Sequence, residues 1–577
     1  MAASPEFLNV FKGRDSLAQY LDPDLSPPLP LVEIPNSLNP LRGDGVRIFA
    51  KMLTALPAQN VKSLPALAML RSEPNAHQQT IVEASSGSTV LSLAILARAL
   101  WGHDDVHAYV TNKKHPDSLR LMKFFGLKTV LFGGLAQQEP SDPRGVMARL
   151  RKMANTDPGV CYPGQYGNDE NWKAHERWTG AQIWRQLPEV NVFCATVGTG
   201  GCVTGTGAYL KAMKPSVRTI GVCSIRGDPI PGPRYFSGFE TSPFPWQENI
   251  DVFQDVCSAD AFRASMQLSR HGLICGPSSG QALCGVIAHL QAAKAAGNLA
   301  EYADPATNEI NAVFVCADLP YQYMDLYFNK IPKEELPPTF NENLLSCDLD
   351  PYDERNCLTL EQVFKLDGGA LKLQPCAMPS SCCCNNKDRH HQQHQRQYAP
   401  PPSPPPSSSG GESPHFPHTP DAPTSLPLPT PPDLLPISLP LTTDINSSEN
   451  GDSYNCNHDV NTSTATTTRI IDIRPQEAYT RSHMHNAWNI PLTPEPQDLF
   501  GDAQAVEARW REMRDVIEGP LWPTSLARVE EGEGGRGRGT KVLVLCGNGD
   551  SSRMMVAMLR ARGVEAFSVE GGYEAWE

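Results

Sequence analysis

Short apolar runs of strand length alternate with longer helical patterns between Leu31 and Glu335. Examples are IVEASS before TVLSLAILARALW, VFCATV before GAYLKAMK, and the closing apolar run NAVFVCADL. Parallel strands need crossover connections, which are usually helical, so this alternation predicts a parallel sheet covered by helices. We therefore expect an α/β fold for this part of the chain.

The composition changes abruptly after Leu373, where a stretch rich in Pro, Ser, Cys and His begins. Such a stretch cannot bury enough apolar surface to offset the entropy lost on ordering, which predicts a disordered linker. A second αβ pattern follows, with RIIDI, AWNIPL, KVLVLC, SSRMMVAMLRARG and EAFSVEGG in succession. The predicted organisation is a large domain over residues 1–365, a linker over 366–466 and a small α/β domain over 467–577.

Composition excludes some classes of partner. The net charge of -14 disfavours binding to nucleic acid, which needs clustered Lys and Arg. No apolar stretch approaches the roughly 20 residues of a membrane span, and the N-terminal residues show no targeting pattern. Most cysteines lie singly in apolar runs, as reduced core thiols do. We expect a soluble, cytoplasmic protein without a nucleic-acid or membrane partner.

The cysteine and histidine tract of the linker does not predict a metal site. Cys382, Cys383 and Cys384 are adjacent, whereas the paired cysteines of a zinc site are separated by about two to four residues. The tract is interpreted as low-complexity linker.

Two segments of the large domain carry candidate chemistry. Lys62 follows a short polar turn and precedes a helix-forming run, and a lysine placed there can form a Schiff base if its pKa is depressed. Taken alone, this position favours the interpretation of Lys62 as a solvated surface lysine. A strand then ends in Ser85, Ser86, Gly87, Ser88 and Thr89 before a helix. Hydroxyl and N–H groups at a helix N-terminus bind carboxylates, although such residues also serve simply as helix caps.

A third segment is rich in glycine. Gly198, Thr199, Gly200 and Gly201, followed by Thr204, Gly205, Thr206 and Gly207, are predicted to lie between a strand and a helix. Glycines allow the backbone to approach a phosphate closely. The spacing matches neither the dinucleotide fingerprint nor the GxxxxGK[ST] loop, so the predicted ligand is a phosphate other than a nucleoside triphosphate.

The order of these segments resembles the fold-type II pyridoxal-phosphate family, specifically cysteine synthases and cystathionine β-synthases. PGQYGNDENWKAHERWTGAQIW and HGLICGPSSGQAL resemble two further segments of that family. The resemblance implies a two-subdomain fold of helix-covered parallel sheets, pyridoxal 5'-phosphate as cofactor, and a homodimer.

The resemblance also implies roles for individual residues. Lys62 would hold the cofactor covalently and move the Cα proton of the substrate. The phosphate would be held by Gly198, Thr199, Gly200, Gly201 and Thr204, and the substrate carboxylate by Ser85, Ser86, Gly87, Thr89 and Gln165. The implied reaction is β-replacement on a serine derivative with a sulfur nucleophile, so the partners are an amino-acid substrate and a sulfur donor.

Two positions depart from the family pattern. Ser88 stands where the family has an asparagine facing the phenolic oxygen of the cofactor. Leu319 stands where a serine faces the pyridine nitrogen, unless the register shifts by one and Asp318 faces it. These departures leave open a β-elimination enzyme, or an inactive scaffold, as alternatives to cysteine synthesis.

The C-terminal pattern resembles a rhodanese domain. Its opening segment is RIIDIRPQEAYTRSHMHNAWNIPL, in which the matching positions are Asp472, Arg474, Glu477, His483, Ala487 and Asn489, and VEGGYEAW closes it. Cys546 ends a strand and is followed by the loop residues Gly547, Asn548, Gly549, Asp550, Ser551 and Ser552.

The loop N–H groups are predicted to lower the pKa of the Cys546 thiol and to favour a persulfide. The loop departs from the CRxGxR pattern of thiosulfate-specific members, because Ser551 stands where the second arginine would be. An inactive binding module remains the alternative. The fusion suggests that a Cys546 persulfide supplies or receives the sulfur handled by the first domain.

Overall fold

The computed structural model describes residues 9–85, 87–114, 116–134, 139–366, 375–377, 468–519 and 540–576. They belong to two compact units, Met1–Pro338 and Thr339–Glu577. Most of the predicted linker, including the Cys382–Cys384 tract, lies outside the described residues. Within the described ranges, helices fall short of the length and apolar character that crossing a membrane requires.

The first unit contains a six-stranded sheet in the order β1-β2-β10-β7-β8-β9. All its neighbours are parallel except β1, which runs antiparallel to β2. Its strands are β1 (Leu31–Glu33), β2 (Val46–Met52), β7 (Val192–Thr196), β8 (Arg218–Ser224), β9 (Val252–Val256) and β10 (Ile310–Cys316). A second, fully parallel sheet has the order β5-β4-β3-β6. Its strands are β3 (Thr80–Ala84), β4 (Val106–Thr111), β5 (Lys128–Phe132) and β6 (Val160–Cys161).

Helices connect the strands of this unit. They are α1 (Ser16–Tyr20), α2 (Ser63–Ser72), α3 (Ser88–Trp101), α4 (Pro116–Phe124), α5 (Val146–Thr156), α6 (Glu170–Ala174), α7 (Ala181–Gln186), α8 (Gly201–Met213), α9 (Trp246–Asn249), α10 (Ser258–Arg270), α11 (Pro277–Ala295) and α12 (Met324–Lys330). A π-helical turn, His175–Gly180, joins α6 to α7. The helix-covered parallel sheets confirm the fold class predicted from the sequence.

Burial on both faces explains the continuous apolar run of β10. Val313 and Val315 belong to a core cluster shared with α2, α3 and α8. Ala312 and Phe314 point to the opposite face, into a cluster shared with α11. Since successive side chains of a strand alternate between faces, a central strand covered on both sides needs apolar residues throughout.

The second unit has a parallel sheet in the order β11-β17-β16-β13-β15. Its strands are β11 (Cys357–Leu358), β13 (Thr468–Asp472), β15 (Trp488–Asn489), β16 (Lys541–Leu545) and β17 (Ala566–Val569). A separate antiparallel pair joins β12 (Pro375–Ala377) to β14 (Ser482–Met484). The helices are α13 (Leu360–Lys365), α14 (Gln476–Arg481), α15 (Ala503–Glu518) and α16 (Asp550–Ala561).

The boundary between the units lies earlier than the sequence suggested. Residues 339–365 were assigned to the first domain, but they belong to the second compact unit. Strand β11 pairs with β17 at the edge of the sheet, and Leu358 and Val363 pack against Leu543 and Leu545. Such a short strand is hard to predict from the sequence, because two residues are too few to show the alternation of apolar and polar side chains that indicates a strand.

Candidate functional sites

The turn that carries Lys62 is fastened to the carboxyl end of β10. The N–H of Val61 donates to the Ala317 carbonyl at 2.7 Å, and Asn60 forms a bridge with Asp318. The Asn60 side chain accepts the N–H of Lys62 at 2.9 Å. Lys62 is thus held at the strand ends, which is where ligands bind in parallel sheets.

Lys62 points toward the glycine-rich segment. Its Nζ lies 3.4 Å from Thr199 Oγ1, and the side chain is half-buried. Loss of solvent around the ammonium group lowers the pKa of Lys62, and nearby Cys202 opposes this change. A lowered pKa increases the fraction of neutral amine, the form that attacks a carbonyl.

The glycine-rich segment forms a tight turn before α8. Gly200 has φ 87°, a left-handed conformation that favours glycine, and a Cβ there would lie 2.1 Å from the Phe239 ring. Gly201 begins the helix, and Thr204 lies buried in its first turn, where its Oγ1 has no hydrogen-bond partner in the part of the chain that the structure describes. The N–H groups at the start of this helix suit a phosphate. Gly205 and Gly207, by contrast, lie inside α8 and not in the predicted loop.

The serine-rich segment faces the same cavity. Ser85, Gly87, Ser88 and Thr89 line it, whereas Ser86 lies outside the described residues. Thr89 donates to Gln165 Oε1 at 2.7 Å, and Gln165 Nε2 donates to the Ala84 carbonyl at 3.2 Å. The structure therefore brings the predicted carboxylate-binding residues that it describes to one place.

Glu83 is a site residue that sequence reasoning missed. Its buried carboxylate accepts the N–H groups of Ala84 at 2.9 Å, Gly164 at 2.9 Å and Gln165 at 3.3 Å. Burial raises the pKa of Glu83 to about 7, although these hydrogen bonds oppose the increase. Glu83 thus ties the Gln165 segment to the end of β3. A charged residue within the apolar run IVEA was the available signal.

Asn171 holds the Gln165 segment beside the glycine turn. Its Nδ2 donates to the Gln165 carbonyl at 2.6 Å and to Thr199 Oγ1 at 3.0 Å. The Oδ1 of Asn171 is buried and has no hydrogen-bond partner within the described ranges.

Asp318 and Leu319 differ in their surroundings. Asp318 lines the cavity, and Leu319 is not among its lining residues. Asp318 Oδ2 accepts bonds from Tyr323 at 2.6 Å and Gln322 at 3.0 Å, whereas its buried Oδ1 has no partner among the described residues. Burial raises the pKa of Asp318 to about 6. A buried carboxylate oxygen without a donor is costly, so the site calls for a cationic or hydrogen-bonding group.

These residues surround one cavity of about 1350 Å³ in the first unit. Lys62 and Thr199 lie on its wall together with the serine-rich segment, Gln165 and Asp318. Gly198 and Thr199 of the turn before α8 line the cavity, where a phosphate would meet the helix N-terminus, whereas Thr204 is not among the lining residues. Asp318 also lines it, and its Oδ1, which has no partner among the described residues, would accept a hydrogen bond from a protonated ring nitrogen. The residues present therefore fit pyridoxal phosphate.

In the second unit, Cys546 directly follows β16 and is 2 % exposed. Its Sγ accepts the N–H groups of Gly549 at 3.1 Å and Ser552 at 3.2 Å, as the loop was expected to provide. The predicted lowering of its pKa was wrong. Burial, reinforced by the charge of Glu495, outweighs these bonds and raises the pKa of Cys546 to about 12.

The predicted rhodanese-type residues form a support behind this loop. Arg474 donates to both carboxylate oxygens of buried Asp472, at 2.7 to 3.2 Å, and lies over the Tyr573 ring. Asn489 donates to the carbonyls of Asp472 and Arg474, each at 2.9 Å. These contacts fix the strand end beside Cys546.

A cavity of about 390 Å³ opens beside Cys546. Gly547 and Ser551 of the loop line it, and so do Arg474, Arg509 and Glu495. Glu495 is a second residue that the sequence did not reveal, since it lies in the irregular segment after NIPL.

Comparison with known proteins gives two family matches. Residues 25–302 match the model described as pyridoxal-phosphate dependent enzyme, and residues 459–577 match the rhodanese-like domain. A cysteine synthase of Aquifex aeolicus is 31% identical over 264 residues, which are 44% of this chain and 78% of that protein.

Two other relatives illustrate the range of similar proteins. N-(2-amino-2-carboxyethyl)-L-glutamate synthase of Ralstonia nicotianae is 29% identical over 259 residues, 41% of this chain and 73% of that protein. The crystal structure of a cysteine synthase from Entamoeba histolytica has a TM-score of 0.45 and 22% identity, covering 57% of this chain and 94% of that one.

Proposed function

Since the chain belongs to the pyridoxal-phosphate dependent enzyme family and carries a C-terminal rhodanese-like domain, we propose that its first unit performs β-replacement on a serine derivative with a sulfur nucleophile. Family membership confirms the cofactor predicted from the sequence. The observation that carries the proposal is Lys62, whose desolvated amine faces Thr199 in the large cavity.

The residues of this site have separate roles. Pyridoxal phosphate, when bound, supplies the electron sink that allows a group to leave from the substrate Cβ. Lys62 holds the cofactor and moves the proton at the substrate Cα. The turn of Gly198, Thr199, Gly200 and Gly201 holds the phosphate with Thr204. The substrate carboxylate is bound by Ser85, Ser86, Gly87, Thr89 and Gln165.

Asp318, and not Leu319, is proposed to face the pyridine nitrogen. Asp318 lines the cavity, and its Oδ1, which has no partner among the described residues, can accept a hydrogen bond from a protonated nitrogen. Leu319 has no polar group to offer. Ser88 lines the cavity and is proposed to reach the phenolic oxygen through water, because its side chain is shorter than an asparagine.

The second unit is proposed to be a sulfurtransferase that carries sulfur as a persulfide on Cys546. Two N–H groups directed at Sγ support this role, since they stabilise negative charge on sulfur. We propose that this sulfur is exchanged with the first site. The family resemblance also leads us to expect a homodimer, which light scattering can test.

The reaction is tested with O-acetylserine, with and without sulfide, while cysteine and pyruvate are measured. We expect cysteine when sulfide is present, and loss of both the cofactor's visible absorbance and activity in Lys62→Ala. The exposed Lys173→Ala serves as control. Pyruvate as the main product would favour β-elimination, and wild-type protein that binds no cofactor would favour a scaffold.

Coupling of the two units is tested with Cys546→Ser. If sulfur passes through Cys546, this variant forms less cysteine from a persulfide donor but the same amount from free sulfide. Equal rates with every donor would refute the coupling and leave the first activity intact.

A further inference from the structure

The loop after Cys546 has an acceptor for each of its backbone N–H groups. Glu495 Oε2 accepts those of Gly547 at 3.1 Å and Asn548 at 3.4 Å, and Glu495 Oε1 accepts that of Ser551 at 2.7 Å. The remaining groups donate to Cys546 Sγ from Gly549 and Ser552, and to the Asn548 side chain from Asp550. The Glu495 carboxylate thus accepts three of the six backbone N–H groups of the loop.

Glu495 is held in this position by α15. Arg509 donates to the carbonyls of Thr493 at 3.0 Å and Pro494 at 2.9 Å, directly before Glu495. Glu512 accepts both the N–H and the hydroxyl of Thr493, at 2.6 and 3.0 Å, and pairs with Arg509 at 2.8 Å. Hydrogen bonds from α15 therefore hold Thr493 and Pro494, and this fixes the position from which the Glu495 carboxylate reaches the loop.

Three arginines line this pocket, and two of them are paired with carboxylates. Arg474 is bonded to Asp472 and to the Ser482 carbonyl, and Arg509 pairs with Glu512. Arg481 Nε donates to the Glu477 carbonyl, and Glu574 is a second carboxylate of the lining. An incoming dianion would find three of the six loop N–H groups already taken by Glu495.

We propose that Glu495 determines the sulfur donor of the Cys546 site, excluding anionic oxyanion donors such as thiosulfate and admitting a persulfide, R–S–SH. This inference rests on the proposed sulfurtransferase function. Thiosulfate carries a charged sulfonate group that requires several N–H donors, and Glu495 holds three of them. The reacting S–SH end of a persulfide carries no oxyanion, and in its protonated form the S–H can donate to the carboxylate.

The transfer is balanced without an added oxidant or reductant. Cys546 sulfur attacks the terminal sulfur of R–S–SH, a new S–S bond forms at Cys546, and the S–S bond of R–S–SH breaks. R–S⁻ leaves and takes up the proton given up by the Cys546 thiol. The products are a Cys546 persulfide and R–SH, so the sulfane sulfur moves with no net change in oxidation state.

The test compares full-length wild-type protein with Glu495→Gln and Glu495→Ala. Each is exposed to thiosulfate or to glutathione persulfide, and the Cys546 persulfide is quantified by peptide mass spectrometry. Glu574→Gln is the matched control, because it removes an equal charge from the same cavity but leaves the Glu495 contacts in place. Cys546→Ser supplies the background.

Wild type and Glu574→Gln are expected to form the persulfide from glutathione persulfide but not from thiosulfate. Both Glu495 variants are expected to increase the ratio of thiosulfate to persulfide use about tenfold or more, since charge repulsion and occupied donors are removed together. A change in this ratio distinguishes donor selection from a general loss of structure, which lowers both reactions.

Equal use of the two donors by wild type would overturn the proposal, as would an unchanged ratio in both Glu495 variants. The same change in Glu574→Gln would assign selectivity to the overall charge of the cavity and would also overturn it. If wild type forms no Cys546 persulfide from either donor, the sulfurtransferase function itself has failed.

Discussion

At the scale of single residues, the first site depends on buried polar groups that position other residues. Glu83 never reaches the cavity wall, yet it binds the backbone N–H of Gly164 and Gln165 and so places the Gln165 side chain beside Thr89. Such a residue acts on the substrate only through its neighbours. Its contribution should therefore appear in substrate binding more than in turnover.

Glu83→Gln is expected to raise KM for the amino-acid substrate about tenfold with little change in kcat. The amide cannot accept from all three N–H groups as strongly as the carboxylate, and each weakened bond costs about 1 kcal/mol. Steady-state kinetics with the full-length protein measure this split. An equal fall in kcat would contradict the positioning role.

The same residue predicts a pH dependence of stability. Burial raises the pKa of Glu83 from 4.5 to about 7, so the folded state retains a proton that the unfolded state has lost. This contribution to stability is fully present below about pH 4.5 and is lost as pH rises through about 7. Urea unfolding should show a decline across this window that is smaller in Glu83→Gln. Parallel profiles for the two proteins would contradict the prediction.

Asp318 gives a prediction about cofactor binding. Its pKa of about 6 means that its carboxylate is largely protonated below that pH and then offers less to a protonated ring nitrogen. Cofactor affinity is expected to weaken as pH falls through about 6. Asp318→Asn should bind the cofactor about tenfold more weakly, the effect of losing one charged hydrogen bond, and should lack this dependence. Leu319→Ala is the control, and fluorescence titration measures the affinity.

At the scale of elements, the glycines between Gly198 and Gly207 have two roles, forming a turn and allowing helices to pack closely. The sequence did not distinguish these roles. Gly198 to Gly201 form the turn, as predicted, because their spacing after a strand is readable. Gly205 was placed in the same loop, but it lies where α8 crosses α6, and a Cβ there would be 1.9 Å from the Trp172 carbonyl oxygen. Only the packing of two helices distinguishes these cases.

Gly205→Ala is therefore expected to lower the free energy of unfolding of the first unit by about 1–3 kcal/mol, because the clash is with backbone that cannot rotate away. Gly43→Ala is the control, since a Cβ there meets nothing within 4 Å. Urea unfolding followed by cofactor absorbance measures the difference. Equal stability of the two variants would show that the helices separate without cost.

Local sequence patterns reveal some residues of the two sites but not others. Lys62, Thr199, Gln165 and Cys546 stand in motifs with recognisable order, and the structure places each beside a cavity. Glu83 and Glu495 act through hydrogen bonds to segments 81 and 52 residues away, at Gly164 and Gly547. No local spacing encodes such a partner. The pKa of Cys546 was mispredicted because burial, together with the charge of distant Glu495, outweighs the loop N–H groups.

At the scale of the whole molecule, the described residues form two units whose boundary bears on how the chain is divided. Residues 339–365 precede the predicted linker but complete the second sheet through β11. We propose that the second folding unit begins near Thr339. Helix α13 strengthens this assignment, since Thr359 and Gln362 form a capping box at its start.

Val363→Ala tests this division in the intact chain. Val363 is fully buried against Leu543, Leu545 and Tyr573, so its truncation should destabilise the second unit by about 1–3 kcal/mol. Exposure of buried Cys546 to a thiol reagent in urea reports this unit, and cofactor absorbance reports the first. Only the Cys546 transition is expected to move, and the exposed Phe364→Ala should leave both unchanged. If the unfolding transition followed by cofactor absorbance shifts instead, residues 339–365 belong to the first domain.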